Sequence, residues 1–178
     1  ADGRSVNAYE KLAAMAESSV AGDWYMYDIP YALAAYAQEH SLDTAEEEAL
    51  LVQAMLNKPD GWATGTLDLG GPVMFALAPY RAENSEVSTA LDAAVECLRA
   101  AQTEDGNIIS PWPGSAPNAN STAMAISGLA ACGVDPYSVI KGGVTLPDAL
   151  LAFAGEDYFG FQDNSSFNLM ATVQGSLA

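Results

Sequence analysis

Apolar and polar positions alternate along the chain in two distinct ways. Residues 7–18, NAYEKLAAMAES, set Leu12, Met15 and Ala16 three and four apart, a spacing that predicts an amphipathic helix. Gly22-Asp23 breaks it, and residues 24–40 follow, apolar nearly all round in their second half. Asp43 or Thr44 is placed to cap the next helix, whose first turn carries Glu46, Glu47 and Glu48, where the helix dipole favours anions. That helix runs to about Asn57, and KPDGW ends it. The alternation then recurs. Residues 67–80 carry one charge, residues 85–102 are amphipathic, and residues 118–133 carry no charge. TLPDALLAFAG, 145–155, is amphipathic with Pro147 near its first turn, and residues 166–178 are again uncharged.

A helix that is apolar on every side is expected to be buried on every side, and small residues let neighbouring backbones approach. The two patterns together predict an all-α domain over residues 1–178, with amphipathic outer helices around small-residue inner ones. Self-alignment supports a repeat. Phe75-Ala76-Leu77-Ala78 matches Tyr31-Ala32-Leu33-Ala34 at an offset of 44, and Met74 and Leu77 match Ile126 and Leu129 at 52. Ile126-Ser127-Gly128 matches Val173-Gln174-Gly175 at 47, and the turns Asp60-Gly61 and Asp105-Gly106 lie 45 apart. Two helices per 45 to 50 residues is the signature of a helical repeat array, with about four units visible.

Charge narrows the partners. Six basic against 23 acidic residues give a net charge of −17, which argues against nucleic acid and against anionic lipid surfaces. Divalent cations are weak candidates, because no loop has EF-hand spacing. No apolar run is long enough for a membrane span and no signal peptide is visible. A start at Ala1 reads as a trimmed chain, a fragment of a larger multi-domain protein. Cys97 and Cys132 each sit in an Ala-rich helical stretch, and are expected to be buried thiols rather than a disulfide.

Against this background several short motifs gain meaning. Gln102-x-x-x-Gly106-x-Ile108 resembles the QxxxGxW repeat of squalene and terpenoid cyclases, with Ile in place of the aromatic residue. Asn57-Lys58-Pro59-Asp60-Gly61-Trp62 and GEDYFGF, 155–161, resemble degenerate copies. NSTAMAISGLAACG, 120–133, resembles the inner-helix signature of the prenyltransferase and cyclase repeats. The resemblance covers residues 23–178 and implies an α/α-toroid of helical hairpins in two concentric rings, open or incomplete at about four hairpins.

The chemistry of that superfamily is not matched. A prenyltransferase zinc site needs more ligands than one histidine, His40, can begin, and neither DxDD nor DDxxD occurs. Asp68 is the nearest acid candidate, and reads more simply as an N-cap. No catalytic residue and no required cofactor is therefore assigned. Asn120-Ser121-Thr122 and Asn164-Ser165-Ser166 match the glycosylation sequon, a pattern short enough to occur by chance. In the superfamily the inner-helix ends and their entry loops face the central cavity. Carried onto this chain, that places an aromatic cluster of Trp24, Tyr27 and Tyr31 at one entry, and Trp112 in the proline-rich loop 107–120 at another. Trp112 is either a binding anchor or part of a plug. Asp28, Asp68, Asn118, Asn120 and Asn164 are the polar candidates.

The resemblance to the non-catalytic branch, the helical domains of cobalamin carriers and bacterial surface toroid modules, implies an extracellular or cell-surface binding module. Its ligand would be a small molecule, with a corrinoid as the named example, or a protein or glycan partner. A divergent cyclase-like enzyme and a filled structural spacer are the alternatives.

Overall fold

The computed structural model describes residues 28–38, 44–57, 62, 67–109 and 115–178, with Lys11 and Ala14. These residues are mostly helical. In chain order the α-helices are α1 Asp28–Gln38, α2 Ala45–Leu56, α3 Leu67–Leu77, α4 Ser85–Ala101, α5 Ala119–Ala131, α6 Leu146–Leu151 and α7 Leu169–Leu177. The amphipathic helix expected over 7–18 lies outside the described residues, as does His40.

Helix α4 shows how the sequence builds one element. Val87, Leu91, Ala94, Val95 and Leu98 recur at helical spacing and are all buried. Asn84 caps the start, its side-chain oxygen accepting from the N–H groups of Glu86 at 3.0 Å and Val87 at 3.2 Å. Glu86 in the first turn and Arg99 in the last complement the helix dipole. Helix α2 begins where expected, after Thr44, but that hydroxyl makes no capping bond; it donates to Glu48 Oε1 at 2.6 Å instead.

The odd-numbered helices form a row in which α1 packs on α3, α3 on α5 and α5 on α7. Each of α1, α3 and α5 also packs on the helix that follows it, α2, α4 and α6, and α2 touches α4. One apolar core fills the space between the rows, with Leu33 and Tyr36 of α1, Met55 of α2, Leu77 of α3, Leu91 and Leu98 of α4 and Leu129 of α5 fully buried. The alternation of helix types along the sequence is thus an alternation between two layers.

The motif QTEDGNI joins α4 to the unit that follows it. The Gln102 side chain is buried, and its Nε2 donates to the carbonyls of Gly106 at 3.1 Å, Val139 at 3.2 Å and Val144 at 3.4 Å. Gly106 turns the chain with φ of 79°, a left-handed conformation that favours glycine, and Val144 Cγ1 would lie 2.7 Å from any added Cβ. Ile108 is fully buried, and its N–H reaches Thr122 Oγ1 of α5 at 3.3 Å. The same arrangement recurs after α6. Phe159 N–H reaches Thr172 Oγ1 of α7 at 3.0 Å, and Asn168 caps α7 as Asn118 caps α5. Trp62, which follows α2, is buried, with its indole N–H donated to the Met55 carbonyl at 3.0 Å.

The all-α class is kept with one small addition, and several details are corrected. Ile140–Lys141 and Val144–Thr145 pair as a two-stranded antiparallel ribbon, β1 and β2, immediately before α6. Helix α6 is correspondingly shorter than the amphipathic stretch suggested. The caps and threonines of α5 and α7 stand 50 residues apart, Asn118 to Asn168 and Thr122 to Thr172, which replaces the sequence offset of 47. Asp68 lies within the first turn of α3 and is not its N-cap. The inner helices are not buried all round, because a line of residues on each remains open.

The units are also joined by polar contacts. Tyr80, in the 3-10 turn after α3, donates its hydroxyl to Glu48 Oε2 of α2. Burial, then the hydrogen bond and charge of Glu48, push the Tyr80 phenol well above its ordinary range. Tyr80→Phe is expected to lower stability by about 1.5 kcal/mol, read as the urea midpoint, since the acceptor is charged but the pair is only half-buried. The folded chain keeps this proton where the unfolded chain has lost it, so that contribution is full below pH ~10 and lost above it. The gap between wild type and Tyr80→Phe should therefore close as the pH is raised past ~10. A gap that stays constant into strong base would show that the bond contributes nothing.

Candidate functional site

The open line on each inner helix faces a common hollow. Tyr31 of α1, Pro72 and Phe75 of α3, Met124, Ser127 and Ala131 of α5, and Met170, Val173 and Leu177 of α7 line a space of about 1000 Å³. An adjoining space of about 450 Å³ shares Tyr31, Pro72, Met124, Met170 and Gln174, and adds Asn118, Asn120, Ser121 and Phe161. Large apolar side chains stand open here: Tyr31 is 56% exposed, Phe75 54% and Leu177 77%. Isolated exposed apolar residues need no explanation, but contiguous ones around a concavity mark a binding surface.

Local sequence explains why the hollow has this form. Gly71 of α3 and Gly128 of α5 bring the two helix backbones into contact, which fixes the angle between the hollow's walls. Pro72 sits inside α3 and has no N–H to return to the Asp68 carbonyl, so it opens one helical hydrogen bond beside the hollow. Among the described residues, no Asp, Glu, Lys, Arg or His lines either space.

The two ends of the hollow differ. At the Asn118 end of α5, polar groups converge. Asn118 is engaged in its cap, its Oδ1 accepting from Ser121 N–H at 2.9 Å and Ser121 Oγ at 3.1 Å. Asn120 Oδ1 and Gln174 Oε1 are closed off from solvent and have no hydrogen-bond partner. At the other end, around Phe75, Ala131, Val173 and Leu177, the lining is apolar. A buried carboxamide oxygen without a partner is uncommon and costs about 1–3 kcal/mol.

Of the sequence candidates, Tyr31, Asn118 and Asn120 are brought together in this hollow. Asn164 lies in the exposed stretch after Phe161, its carbonyl accepting from Tyr158 Oη at 3.0 Å, and does not line either space. Trp24, Tyr27 and Trp112 lie outside the described residues. Asp28 and Asp68 are placed by backbone alone, in the first turns of α1 and α3. Phe75, Met124, Met170, Val173 and Gln174 were not among the sequence candidates. Gln174 had a signal, as the long polar side chain in the otherwise apolar helix LMATVQGSL.

Other chemistry is sparse. Among the described residues no three His, Cys, Asp or Glu side chains gather where a metal ion could be held. Both cysteines are free and half-buried, not the buried thiols expected, and burial raises each thiol above its ordinary range. No described helix is long and apolar enough to cross a membrane. Compared with known proteins, the chain matches no family model, no curated protein and no solved structure.

Proposed function

We propose that this protein is a toroid-like array of helical hairpins, resembling the prenyltransferase and terpenoid cyclase repeats, that binds a largely apolar small molecule without transforming it. In this reading it serves as a module of a secreted or cell-surface protein. The hollow along α1, α3, α5 and α7, apolar over its described lining, is the observation that carries the proposal. Its volume and apolar walls suit a small-molecule site. A spacer domain would have no reason to leave Tyr31 and Phe75 open across such a space. Cyclase chemistry needs a shielded acid beside the substrate, and among the described residues no carboxyl side chain lines the hollow.

The test is a fluorescence titration with N-phenyl-1-naphthylamine, a neutral dye that brightens in apolar surroundings. Saturable brightening with one dye per chain is expected. Val173→Asp puts a carboxylate on the open wall of α7 and should weaken the dye at least tenfold with an unchanged urea midpoint, because charge in an apolar site must be desolvated. No saturable signal, or equal binding by Val173→Asp, would defeat the proposal. A corrinoid, the ligand implied by the carrier resemblance, is tested in parallel by its own absorbance change.

A further inference from the structure

One loop edges the hollow at the start of α5. Phe161 lines the smaller space and is 43% exposed, so it stands at the mouth of that space. Its carbonyl accepts the N–H of Ala119 at 2.9 Å, which holds the loop against the first turn of α5. The same loop carries Glu156, Asp157 and Asp163, all exposed, with Asp163 two residues from Phe161. Asp163 Oδ1 accepts from the hydroxyl of Ser165 at 2.5 Å and from its N–H at 2.9 Å, and these bonds hold the carboxyl below its usual range. Asp163 is therefore ionised at neutral pH.

The sign of the charge around this mouth follows from the sequence. Residues 100–178 supply α5, α7 and the loops that lead into them. They hold seven acidic residues and one basic residue, Lys141, which lies in the ribbon before α6. The whole chain carries −17. Such a field draws cations towards the surface and repels anions, raising the local concentration of a cation by about tenfold or more. A positively charged head that stays at the mouth also keeps its water, so only the apolar part of the molecule has to be desolvated. Beyond the mouth the described lining turns apolar, and from Asn120 to Ala131 α5 rises by roughly 16 Å at ~1.5 Å per residue, a wall long enough for a hydrocarbon chain.

We infer that the ligand is a cationic amphiphile, whose hydrocarbon portion lies along α5 towards Leu177 while its positively charged head stays at the Phe161 mouth beside the acids of that loop. The inference rests on the hollow being a ligand site and adds the ligand's class and orientation. Apolar walls alone accept any hydrocarbon, and solvated carboxylates alone hold any cation weakly. The two side by side select a molecule that has both parts.

The experiment is displacement of bound N-phenyl-1-naphthylamine from the full chain at neutral pH by decylamine, decanoate and butylamine. At low ionic strength decylamine is expected to displace the dye at a concentration about tenfold or more below decanoate. Butylamine, with the same head and little tail, should not displace it. The gap between decylamine and decanoate should shrink severalfold in about 0.5 M sodium chloride, which screens exposed charges. Asp157→Asn/Asp163→Asn should weaken decylamine by about threefold and leave the dye unchanged. Asparagine at 163 keeps the oxygen to which Ser165 donates, so the turn is retained. Glu46→Gln/Glu86→Gln removes the same charge from exposed positions on α2 and α4, in the other layer, and should weaken decylamine far less. Decanoate equal to or better than decylamine, displacement by butylamine, a gap that salt does not narrow, or the same loss in both double variants would overturn the inference, while saturable dye binding would leave the site standing. A dye that does not bind at all would overturn the site, and the inference with it.

Discussion

Gly71→Ala is expected to cost more than about 4 kcal/mol of folding stability, although alanine is the better helix former by about 1 kcal/mol. An added Cβ would stand 2.0 Å from the carbonyl oxygen of Met124 and 2.5 Å from its carbon. Both atoms belong to the backbone of α5, so no side-chain rotation relieves the clash. The helices would have to part by more than about 1 Å to restore an ordinary contact distance, and the packing on both sides would open with them. Gly128 faces the same contact from α5, where a Cβ would lie 2.8 Å from the Gly71 Cα. Gly70, one residue earlier, has only the Trp62 carbonyl at 3.1 Å, and Gly70→Ala should stay within about 1 kcal/mol of wild type. Urea unfolding followed by circular dichroism separates the pair. If Gly71→Ala unfolded within about 1 kcal/mol of Gly70→Ala, the close crossing of α3 and α5 would be wrong.

That crossing shows what was legible in the sequence. The uncharged, small-residue stretches announced helices that touch one another closely, and α3 and α5 do so at two glycines. The alignment of Phe75-Ala76-Leu77 with Tyr31-Ala32-Leu33 is realised in the burial of each position. The alanines and leucines are buried, while both aromatic residues are open to the hollow. The ribbon was harder to see. Its strands are two residues long, so period-two alternation has nothing to repeat. Its real signal was Gly142-Gly143, with φ of 60° and 85°, the pair of left-handed residues a tight hairpin requires. The last repeat offset slipped because apolar helices of similar composition align almost equally well in more than one register. Matching Gly128 with Gly175 looked reasonable, yet the first meets a helix backbone and the second the ring of Phe159.

The site was legible only in outline. Composition averages over a helix, so a stretch without charge reads as buried on all sides even when one line of it faces a cavity. Tyr31, Asn118 and Asn120 were reached through the resemblance, which placed inner-helix entries at the cavity. Gln174 and Met170 come from α7, where Gln174 stands out as the one long polar side chain, but nothing local says which neighbour it meets. It takes the packing of α7 on α5 to bring Gln174 into the same hollow as Asn120.

Gln102→Leu should cost about 4 kcal/mol while changing the volume of the side chain little. Leucine can fill the space, but it cannot donate to the carbonyls of Gly106, Val139 and Val144 that the Gln102 amide serves together. Two of those bonds are fully buried, and each stranded acceptor costs about 1–3 kcal/mol. Because Val139 precedes the ribbon before α6 and Val144 lies within it, the loss also loosens the next unit from α4. Gln102→Glu separates hydrogen bonding from shape more sharply. At neutral pH it aims a carboxylate at three carbonyl oxygens and should be worse than Gln102→Leu. Burial and those oxygens disfavour the charged form, so its folded-state pKa rises above the unfolded value of about 4.3. The folded chain then binds the proton more tightly than the unfolded chain. Its stability relative to Gln102→Leu must increase as pH falls through that raised folded pKa, until the unfolded carboxyl also protonates. Urea midpoints of both variants at neutral and mildly acidic pH read this directly. If the two variants kept a constant difference across that range, the side chain at 102 would not be facing the carbonyls, and the QxxxG turn would owe its form to glycine alone.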